Sequence, residues 1–66
     1  MDFKTRLVEL RHDSGLSQSK LAEKTGLSYS IIQKWEIGER EPTGYSLIVL
    51  SKFFGVPTDY LLGLVD

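Results

Sequence analysis

The 66-residue chain has no cysteine, so neither a disulfide nor a thiolate-bound metal can support its fold. It has a single histidine, His12, and no cluster of carboxylates beside it of the kind a zinc site would need. No metal and no cofactor are therefore expected. The longest apolar run is Leu47 to Leu50, far short of the roughly 20 residues that span a bilayer. The opening MDFKTR alternates charge and lacks the apolar stretch of a secretory leader, so the expectation is a cytoplasmic protein with no membrane partner. Catalytic groupings are missing too. Nothing around His12 forms a Ser/His/Asp set, a carboxylate pair or a glycine-rich phosphate loop, and Glu39 and Glu41 share a loop without an evident pocket. No catalytic residue is nominated, no small-molecule ligand is evident, and the chain is not read as an enzyme. An excess of positive charge is also lacking: eight Lys and Arg stand against nine Asp and Glu, a net charge of -1. Nucleic-acid binders are often clearly basic, so a binder of this composition must sort its charges onto separate faces.

What is present is helical punctuation. Phe3, Leu7 and Leu10 share a face of a first helix over 3–13, which Gly15 ends. Ser17 and Ser28 stand where a hydroxyl can cap the next two helices, read at about 18–25 and about 29–37, with Gly26 at the turn and Gly38 at the stop. Pro42 ends the loop 38–42. Thr43 caps a fourth helix reaching Phe54, and Pro57 opens a short last one through Leu62. Five short helices with no strand pattern make an all-α, compact five-helix bundle, one domain over residues 1–66. The expected core is Phe3, Leu7, Leu10, Leu16, Leu21, Ala22, Leu27, Ile32, Trp35, Leu47, Leu50, Phe54, Val56, Leu61 and Leu62. Trp35 is placed in the core rather than as a base-stacking residue, because it shares helical spacing with Ile32 and Ser28.

The stretch 17–38, SQSKLAEKTGLSYSIIQKWEIG, is the centre of the chain: helix, glycine turn, helix, the helix-turn-helix plan. On the third helix, Tyr29, Ser30, Gln33, Lys34 and Ile37 lie opposite Ile32 and Trp35. Such a stripe fits the major groove of double-stranded DNA, where glutamine can pair with adenine and lysine with guanine. The helical wheel by itself leaves an ordinary solvated face equally open.

The residues Leu16-Ser17-Gln18, Leu21-Ala22, Gly26, Ser28, Ile32, Trp35-Glu36 and Gly38, continuing through Glu41-Pro42, Gly55-Val56 and Asp59-Tyr60-Leu61-Leu62-Gly63, resemble the XRE family. That family of helix-turn-helix regulators includes Cro and the lambdoid phage repressors. The resemblance covers nearly the whole chain and implies a lambda-repressor-like DNA-binding domain. It aligns Tyr29, Ser30 and Lys34 with base-contacting positions, with Gln33 beside them. It makes Gln18 a phosphate anchor at a helix N-terminus, with the capping Ser17 beside it as a further phosphate contact. Arg40 is read as a phosphate contact or as a local ion pair with Glu39 and Glu41. Those two glutamates, with Ile37, depart from the usual family pattern and predict weaker binding that depends more on dimerisation. Arg11 and Glu36 match a structural ion pair.

Apolar residues beyond the needs of the core, Ile48, Val49 and Phe53, together with Thr58 and Tyr60 at positions that match family dimer contacts, suggest a homodimer interface. The implied function is a sequence-specific transcriptional regulator, a repressor of phage or mobile-element type on a pseudo-palindromic operator. The alternative is an XRE-like protein-interaction module, such as an antitoxin, with DNA binding secondary.

Overall fold

Four of the five helices start at a side-chain oxygen that takes up a free backbone N–H. In the computed structural model, which describes residues 1–66, Asp2 accepts from the Thr5 N–H at 3.0 Å to begin α1 (Phe3–Asp13). Ser17 accepts from Lys20 to begin α2 (Gln18–Thr25), and Ser28 from Ile31 to begin α3 (Tyr29–Glu36). Thr43 and Ser46 bond each other's backbone N–H, a reciprocal capping box that opens α4 (Gly44–Phe54). Each such cap contributes about 0.5–2 kcal/mol. The fifth helix, α5 (Thr58–Leu61), has no side-chain cap. Pro57 stands just before it with extended backbone, not within it as its first residue, and Leu62 lies just past its end. The third helix also stops earlier than its pattern suggests. Ile37 is already outside it, and Gly38 follows with φ +77°.

The helices enclose one core of Phe3, Leu7, Leu21, Ile32, Trp35, Leu50 and Leu61, with Leu10, Leu16, Ala22, Leu27, Ile31, Leu47, Phe54 and Val56 packed against it. Phe3 meets Trp35 edge to face at 5.8 Å, fixing α1 across α3. The expected core stands except for Leu62, which is half-buried outside this cluster because the chain has already left the helix. Ile31 joins the core's edge unforeseen. No helix is long and apolar enough to cross a membrane.

Two polar side chains are buried that the apolar pattern did not reveal. Ser46 is enclosed by its own capping box. Arg6, 4% exposed, lays its guanidinium over the Tyr60 ring at 3.7 Å and donates to the Val65 carbonyl at 3.1 Å. Spacing could have found it, since Phe3, Arg6, Leu7 and Leu10 share one helical face. The two ends of the chain meet nearby. A Cβ on Gly63 would lie 1.8 Å from the Met1 carbonyl oxygen, so only glycine fits there.

Candidate nucleic-acid interface

The turn between α2 and α3 is made by Gly26, at φ +76°, whose N–H closes on the Ala22 carbonyl at 2.9 Å. Thr25 tightens it by donating its hydroxyl to the Leu21 carbonyl and accepting from the Leu27 N–H. Leu21 from α2 and Ile32 and Trp35 from α3 are buried, so the opposite side of α3 must face outward. There the chain presents Tyr29, Ser30 and Gln33 to solvent, Lys34 half-buried, and Ile37 at 69% exposure. Gln33 donates its amide to the Tyr29 hydroxyl at 3.1 Å, one helical turn away. The two side chains thus stand as one hydrogen-bonded pair, and a base that engages the Gln33 amide competes with a weak, exposed bond.

Gln18 is not a free surface glutamine. Its Nε2 donates to Glu36 Oε1 at 2.9 Å. Only the NH2 end of the amide can approach a carboxylate, so the orientation of the group is set, with one N–H committed and the other left over. Glu36 also receives Arg11 Nε at 2.7 Å on Oε2 and Arg11 Nη2 at 2.9 Å on Oε1, while Arg11 Nη1 donates to the Leu16 carbonyl at 2.8 Å. The fork-to-fork bond from Glu36 raises the Arg11 pKa above its ordinary value. One carboxylate therefore ties the C-terminal end of α1, the start of α2 and the end of α3 together, beside the residue that opens α2. At that opening, the Ser17 oxygen is occupied by the Lys20 N–H. Its hydroxyl proton is free to donate.

The loop after α3 folds back on its own helix: the N–H groups of Glu39 and Arg40 both point to the Lys34 carbonyl, at 2.8 and 3.3 Å. Arg40 is exposed and forms no ion pair with Glu39 or Glu41; the chain's ion pairs are Arg6–Glu9, Arg11–Glu36 and Lys20–Glu23.

The apolar surplus is found mainly on α4. Tyr45, 73% exposed, Ile48 and Phe53 are open to solvent, with Val49 half-buried among them at helical spacing. Tyr45 was not singled out from the sequence, although its spacing from Ile48 and Val49 carried the signal. Thr58 and Tyr60 are half-buried, and Tyr60 already has one ring face under Arg6. No group of three His, Cys, Asp or Glu side chains is placed to hold a metal ion.

The helix-turn-helix family model matches residues 7–61. Among curated proteins, the chain is 44% identical over 62 residues to the HTH-type transcriptional activator BcrR of Enterococcus faecalis, covering 94% of this chain and 30% of that protein. It is 40% identical over 57 residues to the repressor protein C2 of Salmonella phage P22, covering 86% of this chain and 26% of the repressor. It thus spans about a third or less of these two relatives. Among solved structures, the restriction-modification controller protein C.AhdI from Aeromonas hydrophila superposes with a TM-score of 0.81 at 33% identity, over 91% of each chain.

Proposed function

We propose, from the premise that this chain belongs to the XRE family of helix-turn-helix regulators, that it is the operator-reading domain of a transcriptional regulator. The observation that carries this reading is the split of α3: Ile32 and Trp35 are locked in the core while Tyr29, Ser30 and Gln33 are exposed, with Lys34 half-buried beside them. An α-helix presenting four polar side chains on one exposed face fits a major groove. Gln18, oriented by Glu36 at the start of α2, supplies a phosphate anchor with its remaining N–H, beside the Ser17 hydroxyl and with Arg40 free on the following loop.

One such helix reads only a few base pairs, so two copies bind a pseudo-palindrome. The copies meet through the exposed side of α4 and the start of α5, Val49, Phe53, Thr58 and Tyr60, joined by Tyr45 and Ile48. Occupancy of the operator represses, as the name of the P22 relative says of that protein, and no enzymatic step is involved.

The test is selection from random duplex DNA at near-physiological salt. The expected result is a pseudo-palindrome with half-sites about 10 base pairs apart, in which Lys34→Ala relaxes one position of each half-site. Absence of any motif, with retention vanishing as salt rises, would sink the reading. The exposed stripe on α4 and the net charge of -1 favour a second one, a protein-interaction module of antitoxin type. That reading requires a protein complex that survives salt sufficient to abolish DNA retention.

A further inference from the structure

A cleft of about 180 Å³ opens where the start of α1 passes the loop after α3. Asp2 and Lys4 form one wall, Gly38, Arg40 and Glu41 the other, and Trp35 lies between. It is smaller than the roughly 300–1,000 Å³ pockets that take drug-sized ligands. Its donors are the notable feature. Lys4 stretches across Gly38 so closely that a Cβ there would stand 3.2 Å from its Cδ and 3.4 Å from its Nζ. Neither Lys4 nor Arg40 is engaged in any ion pair of the chain. The Trp35 indole N–H is buried without an acceptor, although Trp35 is only 2% exposed. The Phe3 and Lys4 backbone N–H groups, in the first turn of α1, have no partner within the helix. Two carboxylates oppose an anion here: Asp2, ionised and held by the Thr5 N–H as the cap of α1, and Glu41 on the exposed rim, so Lys4 and Arg40 must outweigh them by closer approach.

We propose that this cleft seats a phosphate group, and that in the DNA complex it is one backbone phosphate, held by Lys4 from α1 and Arg40 from the loop, with the Trp35 indole in the lining as the neighbour that reports its arrival. A phosphate offers several acceptor oxygens to donors arriving from different sides, which matches an arrangement no single carbonyl could satisfy. The proposal rests on the DNA-reading role of α3, because the loop continues directly from that helix and runs beside the strand the helix crosses. It adds Lys4, on a different helix, to the contacts that the helix-turn-helix itself supplies, and it offsets the two glutamates that weaken the loop.

The test uses the full chain and two variants, Lys4→Gln and Arg40→Gln, with Lys52→Gln on α4 as control. The slope of log K against log salt is measured on the selected operator or, failing one, on a generic duplex. In parallel, the indole N–H signal of the single tryptophan is followed by NMR with the duplex and with inorganic phosphate alone. Each of Lys4→Gln and Arg40→Gln is expected to lower the slope by about 0.9, with base preference and the control unchanged. The indole signal should shift on adding duplex to the parent chain and not to Lys4→Gln. If the parent binds its operator while Lys4→Gln changes neither slope nor indole signal, the phosphate seat is wrong and the α3 reading stands. If the parent binds no duplex, the α3 reading fails. The phosphate titration then decides: a saturable indole shift lost in Lys4→Gln supports the seat with free phosphate as its occupant, and no shift overturns it.

Discussion

Arg6 and Arg11 lie on the same helix and are buried in opposite ways. Arg11 is engaged at all three of its nitrogens: two N–H bonds to Glu36, one to the Leu16 carbonyl, and a partner carboxylate that also holds Gln18. Arg6 is the deeper of the two yet is held loosely, by one carbonyl at 3.1 Å, a Glu9 oxygen at 3.7 Å and the face of Tyr60, with its Nε unpartnered. Depth of burial and satisfaction of a charge are separate quantities. The Arg11 junction neutralises its charge with a carboxylate, whose position then sets the register of three helices. The Arg6 site relies on the weak hydration of a guanidinium and on a ring that accepts it, and it fastens the C-terminal segment rather than the helix-turn-helix.

Breaking the tighter junction should have the largest effect. Glu36→Ala leaves Arg11 without its counter-charge and Gln18 without its acceptor, and is expected to cost about 3–5 kcal/mol in urea unfolding. The apolar double variant Arg11→Met with Glu36→Leu should recover most of that loss while still misplacing Gln18. A loss below about 1 kcal/mol for the single variant would refute the junction as the tie between helices. Arg6→Met keeps the stem and discards an imperfectly satisfied charge, so a smaller loss of about 1–2 kcal/mol is expected. Faster amide exchange in it should be confined to residues 60–66, and uniform acceleration across α1 to α3 would contradict the division between the two sites.

Gln18→Ala sharpens the comparison on the functional side. It removes one spoke of the Glu36 network while leaving the Arg11 pair, so stability should move by no more than about 1 kcal/mol. Operator affinity should fall about tenfold, the loss of one charge-assisted hydrogen bond. Equal losses in stability and affinity would make Gln18 structural only. The smallest effect is one of pH. The Thr5 hydrogen bond holds the Asp2 carboxyl below its ordinary value of 3.8. A group lowered on folding contributes above its unfolded pKa and loses that contribution as pH falls through the folded one. The Thr5 amide signal should therefore move only below about pH 4. Arg11, raised by Glu36, keeps its charge throughout.

The helix starts were legible because a cap is a local device: Ser17, Ser28 and Thr43 act on N–H groups three residues away. The split of α3 was legible for the same reason, since Ile32 and Trp35 follow one period. The Arg11–Glu36 pair came from family resemblance, as nothing in spacing alone joins residues on different helices. Arg6 shares the apolar face of Phe3, Leu7 and Leu10, but what receives its charge, the Tyr60 ring and the Val65 carbonyl, lies far along the chain and is brought to it only by the fold. Lys4 escaped notice because its neighbour across the cleft is Gly38, which has no side chain to suggest a contact.

The chain by itself therefore determined which segments are helical, where the first four begin, and which face of α3 turns inward, because these follow from periodicity and from hydrogen bonds within a turn. Tertiary structure alone decided that Gln18 and Arg11 share one carboxylate, that Arg6 lies over Tyr60, and that Lys4 and Arg40 stand across a common cleft. The physical reason is that these contacts join residues far apart in the sequence, and their geometry exists only after the core has set the angles between helices.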